Sequence, residues 1–196
     1  MGALEKHDVI ALYQKALDCG YKPADIGFIA DSMGAASVLA ALAYDVQAPG
    51  RNIRDAAAFV LLAPYNRFRS VLRKVGTPVA PYVAWLAAKE TEVLFGNNPL
   101  RQQGLATPIA GFSGEKVDIF YNPSDNVIPA KQIEEIHALL PGARLHAVPF
   151  SVKRPEANDL HHELCMQAGE PSLAGRMVRS VRQLFANARQ TPGVVR

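Results

Sequence analysis

Hydrophobic residues along the chain follow two patterns that alternate from the first residues to the last. Short continuous apolar runs occur in four places, as "DIGFIA", "AAAFVLLAP", "KVDIFYN" and "ARLHAVPF". Apolar residues with helical spacing occur around them, in "DVIALYQKAL", "MGAASVLAALAYDV", "PAKQIEEIHALLP" and "PSLAGRMVRSVRQLFANARQ". Strands that alternate with helices indicate an α/β fold, and fully apolar strands are typical of a sheet covered on both faces. The pattern therefore predicts a mostly parallel sheet of about four strands, flanked by helices.

The longest break in this alternation falls between residues 65 and 114. It contains two helical pieces, "RFRSVLRKV" and "APYVAWLAAKETEVLFG", interrupted by prolines. We therefore expect one α/β domain over residues 1–190, in which residues 65–114 form a helical cap or insertion over one end of the sheet. Residues 191–196 are expected to fray. In the first helix, Asp8 is a candidate N-cap and Gly20 a candidate stop signal.

Charge and cysteine content argue against several classes of partner and site. The 196 residues carry a net charge of +3, and the basic residues are spread out instead of forming the dense stripe of a nucleic-acid binder. Cys19 and Cys165 lack CxxC spacing, which favours a reduced compartment and no metal site. No apolar run is long enough to span a membrane, and the N-terminus is too charged for a signal peptide. We expect a cytoplasmic protein without a cofactor, whose partner is a small molecule.

A lone hydroxyl lies where the first apolar run meets a helical pattern, in "GFIADSMGAAS". Ser32 follows the run directly, and a turn this tight strains the backbone, so that the residues two before and two after must be small. Ala30 and Gly34 occupy those positions. Two interpretations stand side by side: Ser32 is a nucleophile at the carboxyl end of a strand, or it is the N-cap of the following helix.

An acid and a base follow Ser32 in an order that supports the first interpretation. A serine hydroxyl needs a base to remove its proton and an acid to orient that base. Asp125 lies just past the third run, and "NDLHHEL" with His161 and His162 follows the fourth. Asp118, inside the third run, is a rival acid. The remaining histidines are expected at the surface: His7, His137 and His146.

These segments resemble the C-terminal two-thirds of an α/β-hydrolase, over about residues 8–189. "GFIADSMGAAS" is similar to the nucleophile elbow of that family, and "VDIFYNPSDNVIPAKQIEEIHALLPGARLHAVP" to its acid-bearing strand, helix and last strand. "HHEL" resembles the His-Glu-Leu of members like monoacylglycerol lipase, which favours His162 over His161 as the base. The resemblance implies a catalytic triad of Ser32, His162 and Asp125, with the backbone N–H of Met33 as an oxyanion donor. It also implies hydrolysis of carboxylic esters or thioesters.

The sequence departs from the family pattern in three ways. Ala30 replaces the first glycine of Gly-x-Ser-x-Gly, and Asp31 stands where His, Glu or Gln is common. The N-terminal strands and the oxyanion loop of the family have no counterpart before Ser32, and loss of one oxyanion donor costs about 10²–10³-fold in rate. The apolar strand 26–30 then lies at a sheet edge, where we expect a second copy, another chain or an N-terminal segment to cover it.

Three functions therefore remain open from the sequence. The chain is a serine hydrolase of esters or thioesters, a non-catalytic binding module that keeps the triad residues by descent, or a structural partner that docks through its sheet edge. Apolar residues of the insertion form plain core or line an acyl pocket: Val79, Tyr82, Val83, Trp85, Leu86, Val93, Leu94 and Phe95. An acyl or lipid-like substrate is the corresponding expectation.

Overall fold

A computed structural model of the chain describes residues 5–44, 50–66, 82, 85, 89, 109, 111–125, 127–148 and 171–190. Four helices are described from end to end: α1 Glu5–Asp18, α2 Met33–Tyr44, α3 Ala130–Leu139 and α4 Pro171–Gln190. The chain also forms four strands: β1 Gly27–Asp31, β2 Ala58–Leu62, β3 Val117–Tyr121 and β4 Arg144–Ala147. Short 3₁₀ helices lie just before three of the strands, at Pro23–Asp25, Ile53–Asp55 and Gly114–Lys116.

The four strands form one sheet in sequence order, β1-β2-β3-β4, and every neighbouring pair is parallel. This confirms the predicted fold class. The register aligns Asp31 with Leu62, Leu62 with Phe120, and Phe120 with His146. All four strands therefore end at the same side of the sheet, which we call the carboxyl rim: the last residue of each strand and the turns that follow.

Burial along each strand reflects its place in the sheet. Every residue of β2 is buried, and so are the first four residues of β3. β1 and β4, which are the outermost strands in the described part of the chain, instead alternate between exposed and half-buried residues. The uninterrupted apolar run "AFVLL" of β2 is the composition that a strand covered on both faces requires.

Helices cover both faces of the sheet. On one face, the ring of Tyr13 from α1 lies 6.3 Å from that of Phe28 on β1, which stacks on Phe59 of β2 at 5.5 Å. On the other face, a Cβ added at Gly27 would lie 2.9 Å from the ring of Phe185 on α4. Successive strand residues point to opposite faces, so α1 and α4 lie on opposite sides of the sheet.

The prediction for the C-terminal end of α1 is confirmed, and the prediction for its N-terminal end is wrong. Gly20 has φ 91°, and the amides of Gly20 and Tyr21 donate to the carbonyls of Leu17 and Ala16 at 2.9 and 3.2 Å. This pair of bonds is the Schellman arrangement in which glycine ends a helix. Asp8 is not the N-cap, because the helix already includes Glu5. The acidic side chain of Asp8 instead lies in the first turn, where the helix dipole favours a negative charge.

Several predicted features fall outside the described residues. They include the tail 191–196 and most of the insertion 65–114, in which Tyr82, Trp85 and Lys89 are helical. The rings of Tyr82 and Trp85 stack at 6.0 Å and are exposed. Among the helices that are described, none is both long enough and apolar enough to cross a bilayer.

Candidate functional site

Ser32 occupies the junction between β1 and α2 in a strained backbone conformation. Its φ is 47°, in the left-handed region that residues with a Cβ rarely adopt. The Ser32 amide donates to the carbonyl of Leu62 at 2.8 Å, and the Ser32 carbonyl accepts from the amide of Ala36 at 3.0 Å. The residue is thus hydrogen-bonded to the end of β2 on one side and to the first turn of α2 on the other. Its side chain is half-buried at the carboxyl rim.

Small residues on both sides of Ser32 allow this tight turn. A Cβ added at Gly34 would lie 3.8 Å from the Cβ of Ala30, which is ordinary van der Waals contact. Positions 30 and 34 therefore face each other across the turn at contact distance. This contact explains why Ala30 is tolerated where the hydrolase pattern has glycine: its methyl group faces a residue without a side chain.

Met33 begins α2, and its side chain is 45% exposed. The first N–H groups of a helix have no acceptor within the helix and carry its positive dipole end. The Met33 amide therefore belongs to a group of backbone donors at the carboxyl rim, next to the hydroxyl of Ser32. Such a position favours an oxygen that carries negative charge.

Asp125 lies in a structured turn after β3. Its carboxylate oxygen Oδ1 accepts from the amides of Val127 at 2.7 Å and Ile128 at 2.8 Å. Its own amide donates to the carbonyl of Asn122 at 3.1 Å. Asp125 is 8% exposed, so the turn holds its carboxylate in one orientation, largely out of water.

The sheet brings Ser32 and Asp125 to the same rim, with one strand between them. Ser32 follows β1 and Asp125 follows β3, and neighbouring strands are about 4.8 Å apart, so these strand ends are separated by about 10 Å. His161 and His162, the predicted bases, lie outside the described residues.

Asp118, the rival acid, lies in the middle of β3 and is fully buried. Its carboxylate accepts from Arg144 Nε at 2.5 Å and from Arg144 Nη2 at 2.9 Å. His146 Nε2 lies 3.2 Å from Asp118 Oδ1, in a geometry that makes no hydrogen bond. A carboxylate held by two nitrogens of a guanidinium inside a strand is a structural ion pair between β3 and β4.

His146 lies on β4, as a strand residue with a half-buried side chain. Its ring is 30% exposed and stacks on Phe120, with ring centroids 4.5 Å apart and planes 15° apart. The sequence could not predict this stacking, because nothing in "ARLHAVPF" shows which side chains lie on the neighbouring strand.

The turn after β2 is a feature of the rim that sequence reasoning missed. Ala63 has φ 42° and its amide donates to the carbonyl of Phe120 at 2.8 Å. Two residues later, burial and, to a smaller extent, the Glu5 carboxylate raise the pKa of Tyr65 to about 12. Pro64 was the available signal, because it marks the end of the strand, but the residue before a proline usually adopts an extended backbone, so Pro64 did not predict the positive φ of Ala63.

In the parts of the chain that the structure describes, no three His, Cys, Asp or Glu side chains come together in a way that could hold a metal ion.

The solved structures that the chain resembles are α/β-hydrolase-type proteins. Puromycin hydrolase matches with a TM-score of 0.54 at 13% identity, over 95% of this chain and 25% of its own. A protein of Mycobacterium tuberculosis matches with a TM-score of 0.50 at 18% identity, over 90% of this chain and 70% of its own. A proline iminopeptidase-related protein of Thermus thermophilus matches with a TM-score of 0.50 at 13% identity, over 88% of this chain and 68% of its own.

These likenesses concern the fold, which is α/β-hydrolase-like. The chain spans 21% to 25% of the length of the puromycin-hydrolysing proteins that it resembles. No model of a protein family and no protein of curated function matches the sequence.

Proposed function

We propose that the chain is a serine hydrolase of carboxylic esters or thioesters, with Ser32 as nucleophile, His162 as base and Asp125 as the acid that orients it. The observation that carries the proposal is the left-handed backbone of Ser32, with φ 47°, at the junction of β1 and α2. A serine that served only as a helix N-cap would adopt an extended backbone, so the strain is unexplained by capping. Strain of this kind is often kept where it holds a reacting side chain in place.

In the proposed reaction, Ser32 Oγ attacks the acyl carbon while His162 takes the hydroxyl proton. The carbonyl oxygen of the substrate becomes an oxyanion, to which the Met33 amide donates a hydrogen bond. His162 then gives the proton to the departing alkoxide or thiolate, and an acyl-serine ester remains. Water, deprotonated by His162, hydrolyses that ester and restores Ser32.

Asp125 has a defined part in this scheme. Two backbone amides hold Oδ1, which fixes the plane of the carboxylate. The proposal assigns Oδ2 to the N–H of His162, which then keeps the tautomer whose other nitrogen accepts the Ser32 proton. The spacing of about 10 Å between the ends of β1 and β3 suits a histidine that enters the rim between them.

The test is labelling with a fluorophosphonate probe, which forms a covalent bond only with an activated serine. The wild-type chain should be labelled and should turn over short p-nitrophenyl esters. Ser32→Ala should lose both activities while the protein stays folded. Ser37→Ala is the matched control: the buried Ser37 hydroxyl, one turn along the same helix, only donates to the Met33 carbonyl at 2.9 Å.

The same assay shows which of the two adjacent histidines is the base. His162→Ala should abolish labelling, whereas His161→Ala should retain it. The reverse result would make His161 the base and leave the rest of the proposal standing. A wild-type protein that is folded but never labelled would favour the non-catalytic binding module instead.

A further inference from the structure

The end of β3 is hydrogen-bonded to both of its neighbouring strands. The Phe120 carbonyl accepts from the Ala63 amide at 2.8 Å, on the side of β2. The Tyr121 carbonyl accepts from the Val148 amide at 2.8 Å, on the side of β4. Because the last two residues of β3 are held from both sides, the next residue, Asn122, begins its turn from a position that the sheet fixes.

Asn122 closes the turn that leads from this strand end to Asp125. Its side-chain oxygen Oδ1 accepts from the Ser124 amide at 3.0 Å, and its carbonyl accepts from the Asp125 amide at 3.1 Å. Asparagine is favoured as the first residue of a turn because its side chain accepts in this way, and a proline at the second position, here Pro123, presets the backbone. Asn122 is 1% exposed, so water does not compete for the bond of its side chain.

A second turn begins at Asp125, where the first one ends. Asp125 Oδ1 accepts from the amides of Val127 at 2.7 Å and Ile128 at 2.8 Å. The first turn therefore sets the position of the Asp125 backbone, and the second sets the plane of its carboxylate. Both are needed, because a carboxylate with a fixed plane on a displaced backbone no longer reaches the same point of the rim.

We propose that Asn122 is a positioning residue for Asp125, which fixes the proposed catalytic acid relative to the sheet. This inference rests on the proposed function, in which Asp125 Oδ2 accepts from the N–H of His162. Asn122 acts through Asp125 and not on the substrate. A displacement of about 1 Å in a reacting group lowers a rate by up to about 10²-fold, so loss of the Asn122 side chain slows the reaction although Ser32 and Asp125 are both present.

A hydrogen bond of the same kind on the opposite side of the sheet supplies a matched control. Asn52 Oδ1 accepts from the Arg54 amide at 2.9 Å, with the same two-residue spacing, in the segment that leads into β2. This segment lies at the amino ends of the strands, away from Ser32 and Asp125. Asn52→Ala thus removes an equivalent bond without touching the carboxyl rim.

Steady-state hydrolysis of a p-nitrophenyl ester, expressed per folded molecule, tests the positioning role. Asn122→Ala should lower kcat by about 10–100-fold and leave KM nearly unchanged, because the substrate keeps its own contacts. The rate of fluorophosphonate labelling should fall as well. Asn122→Ser should recover part of kcat, since a serine hydroxyl accepts from the amide two residues on, but more weakly. Asn52→Ala should keep kcat and KM.

Thermal unfolding tests the same coupling without any activity. Asn122→Ala and Asn52→Ala should each lower the melting temperature by about 2–4 °C, the shift that loss of one hydrogen bond causes in a chain of this size. In an Asp125→Ala background the effect of Asn122→Ala should be clearly smaller, because the shared turn is already loosened. The effect of Asn52→Ala should be the same in both backgrounds, since distant sites are additive.

The outcomes separate this inference from the proposed hydrolase activity. A kcat of Asn122→Ala equal to that of wild type, or an equal loss of kcat in Asn52→Ala, would overturn the positioning role. Additive losses of melting temperature for Asn122→Ala and Asp125→Ala would overturn it too. A folded wild type that is never labelled would contradict the hydrolase proposal, and the melting temperatures would still decide whether Asn122 holds Asp125 in place.

Discussion

The interior of the sheet and its carboxyl rim differ in how their polar groups are paired and in where backbone strain occurs. In the interior, the single buried carboxylate of β3, Asp118, is bound by two guanidinium nitrogens of Arg144 on the next strand. At the rim, Ser32 and Ala63 are the two residues other than glycine, among those described, that have positive φ. The interior thus holds a paired carboxylate in regular strands, whereas the rim holds two strained residues close to polar groups such as the half-buried Ser32 hydroxyl and the buried Asp125 carboxylate.

We expect the ion pair of the interior to matter for stability and the residues of the rim to matter for catalysis. Removal of one partner of a buried ion pair destabilises the protein, because the other charge is left unpaired inside it. Strained residues lower stability, and they persist only where the surrounding structure fixes them. The candidate acids of the sequence, Asp118 and Asp125, fall on opposite sides of this division. Substitutions in the two regions test whether interior residues affect mainly stability and rim residues mainly catalysis.

The largest expected effect is that of Asp125→Asn on catalysis. We expect kcat/KM for a p-nitrophenyl ester to fall about 10⁴-fold, as when a triad acid becomes an amide and the histidine takes the wrong tautomer. The amide oxygen can still accept from Val127 and Ile128, so the melting temperature should change little. An activity close to wild type would place Asp125 among the structural residues and break the comparison.

The second effect is that of Asp118→Asn on stability. Loss of the carboxylate leaves the Arg144 guanidinium unpaired, and since that side chain is 40% exposed we expect a loss of about 2–3 kcal/mol in the free energy of unfolding. Urea denaturation measures it. The double variant Asp118→Leu with Arg144→Met should recover most of the loss, because it removes both charges. Ester hydrolysis per folded molecule should stay unchanged in both variants.

The third effect is a loss of stability at alkaline pH through the ionisation of Tyr65, which follows β2 at the rim. The pKa of Tyr65 is about 12 in the folded state against 10.0 ordinarily, so folding favours the neutral phenol. This contribution is fully present below pH 10 and is lost as the pH rises to 12, by about 2–3 kcal/mol. Urea denaturation at pH 9 to 12 should show that loss in wild type but not in Tyr65→Phe. Tyr21→Phe, which removes a 62% exposed tyrosine, controls for the hydroxyl itself.

The smallest effect is the relief of strain at Ala63. We expect Ala63→Gly to raise the free energy of unfolding by about 0.5 kcal/mol, since relief of about 1–2 kcal/mol of left-handed strain exceeds the added chain entropy of about 0.4–1 kcal/mol. Ser32→Gly should give a similar gain and lose fluorophosphonate labelling, whereas Ala63→Gly should keep it. If both variants were destabilised, strain would not distinguish the rim from the interior.

Much of the fold follows from local patterns in the sequence. The apolar run "AFVLL" predicted a strand covered on both faces, and β2 lies inside the sheet with every residue buried. Gly20 predicted the end of α1, and the chain turns there with positive φ. These predictions succeed because the determining residues are neighbours along the chain, so that periodicity and backbone freedom already fix the outcome.

The candidate site is predictable only in part, for the same reason. The small residues around Ser32 are local and indicate the tight turn that the structure has. Asp125 was favoured over Asp118 because of its position past the strand, but its role and that of the histidine bases remain proposals. The two amides that hold Asp125 Oδ1 come from the next few residues, so that turn too is a local feature.

The sequence by itself therefore determined the order of elements, the interior place of β2 and the turn at Ser32, because each depends on residues within a few positions. Only the tertiary structure decided that Asp118 pairs with Arg144, 26 positions along the chain, and that His146 stacks on Phe120. It also decided that Ala63 adopts φ 42° and that Ile29 is exposed. Such contacts arise when separate strands meet in register, and no local pattern specifies which distant side chain will be opposite.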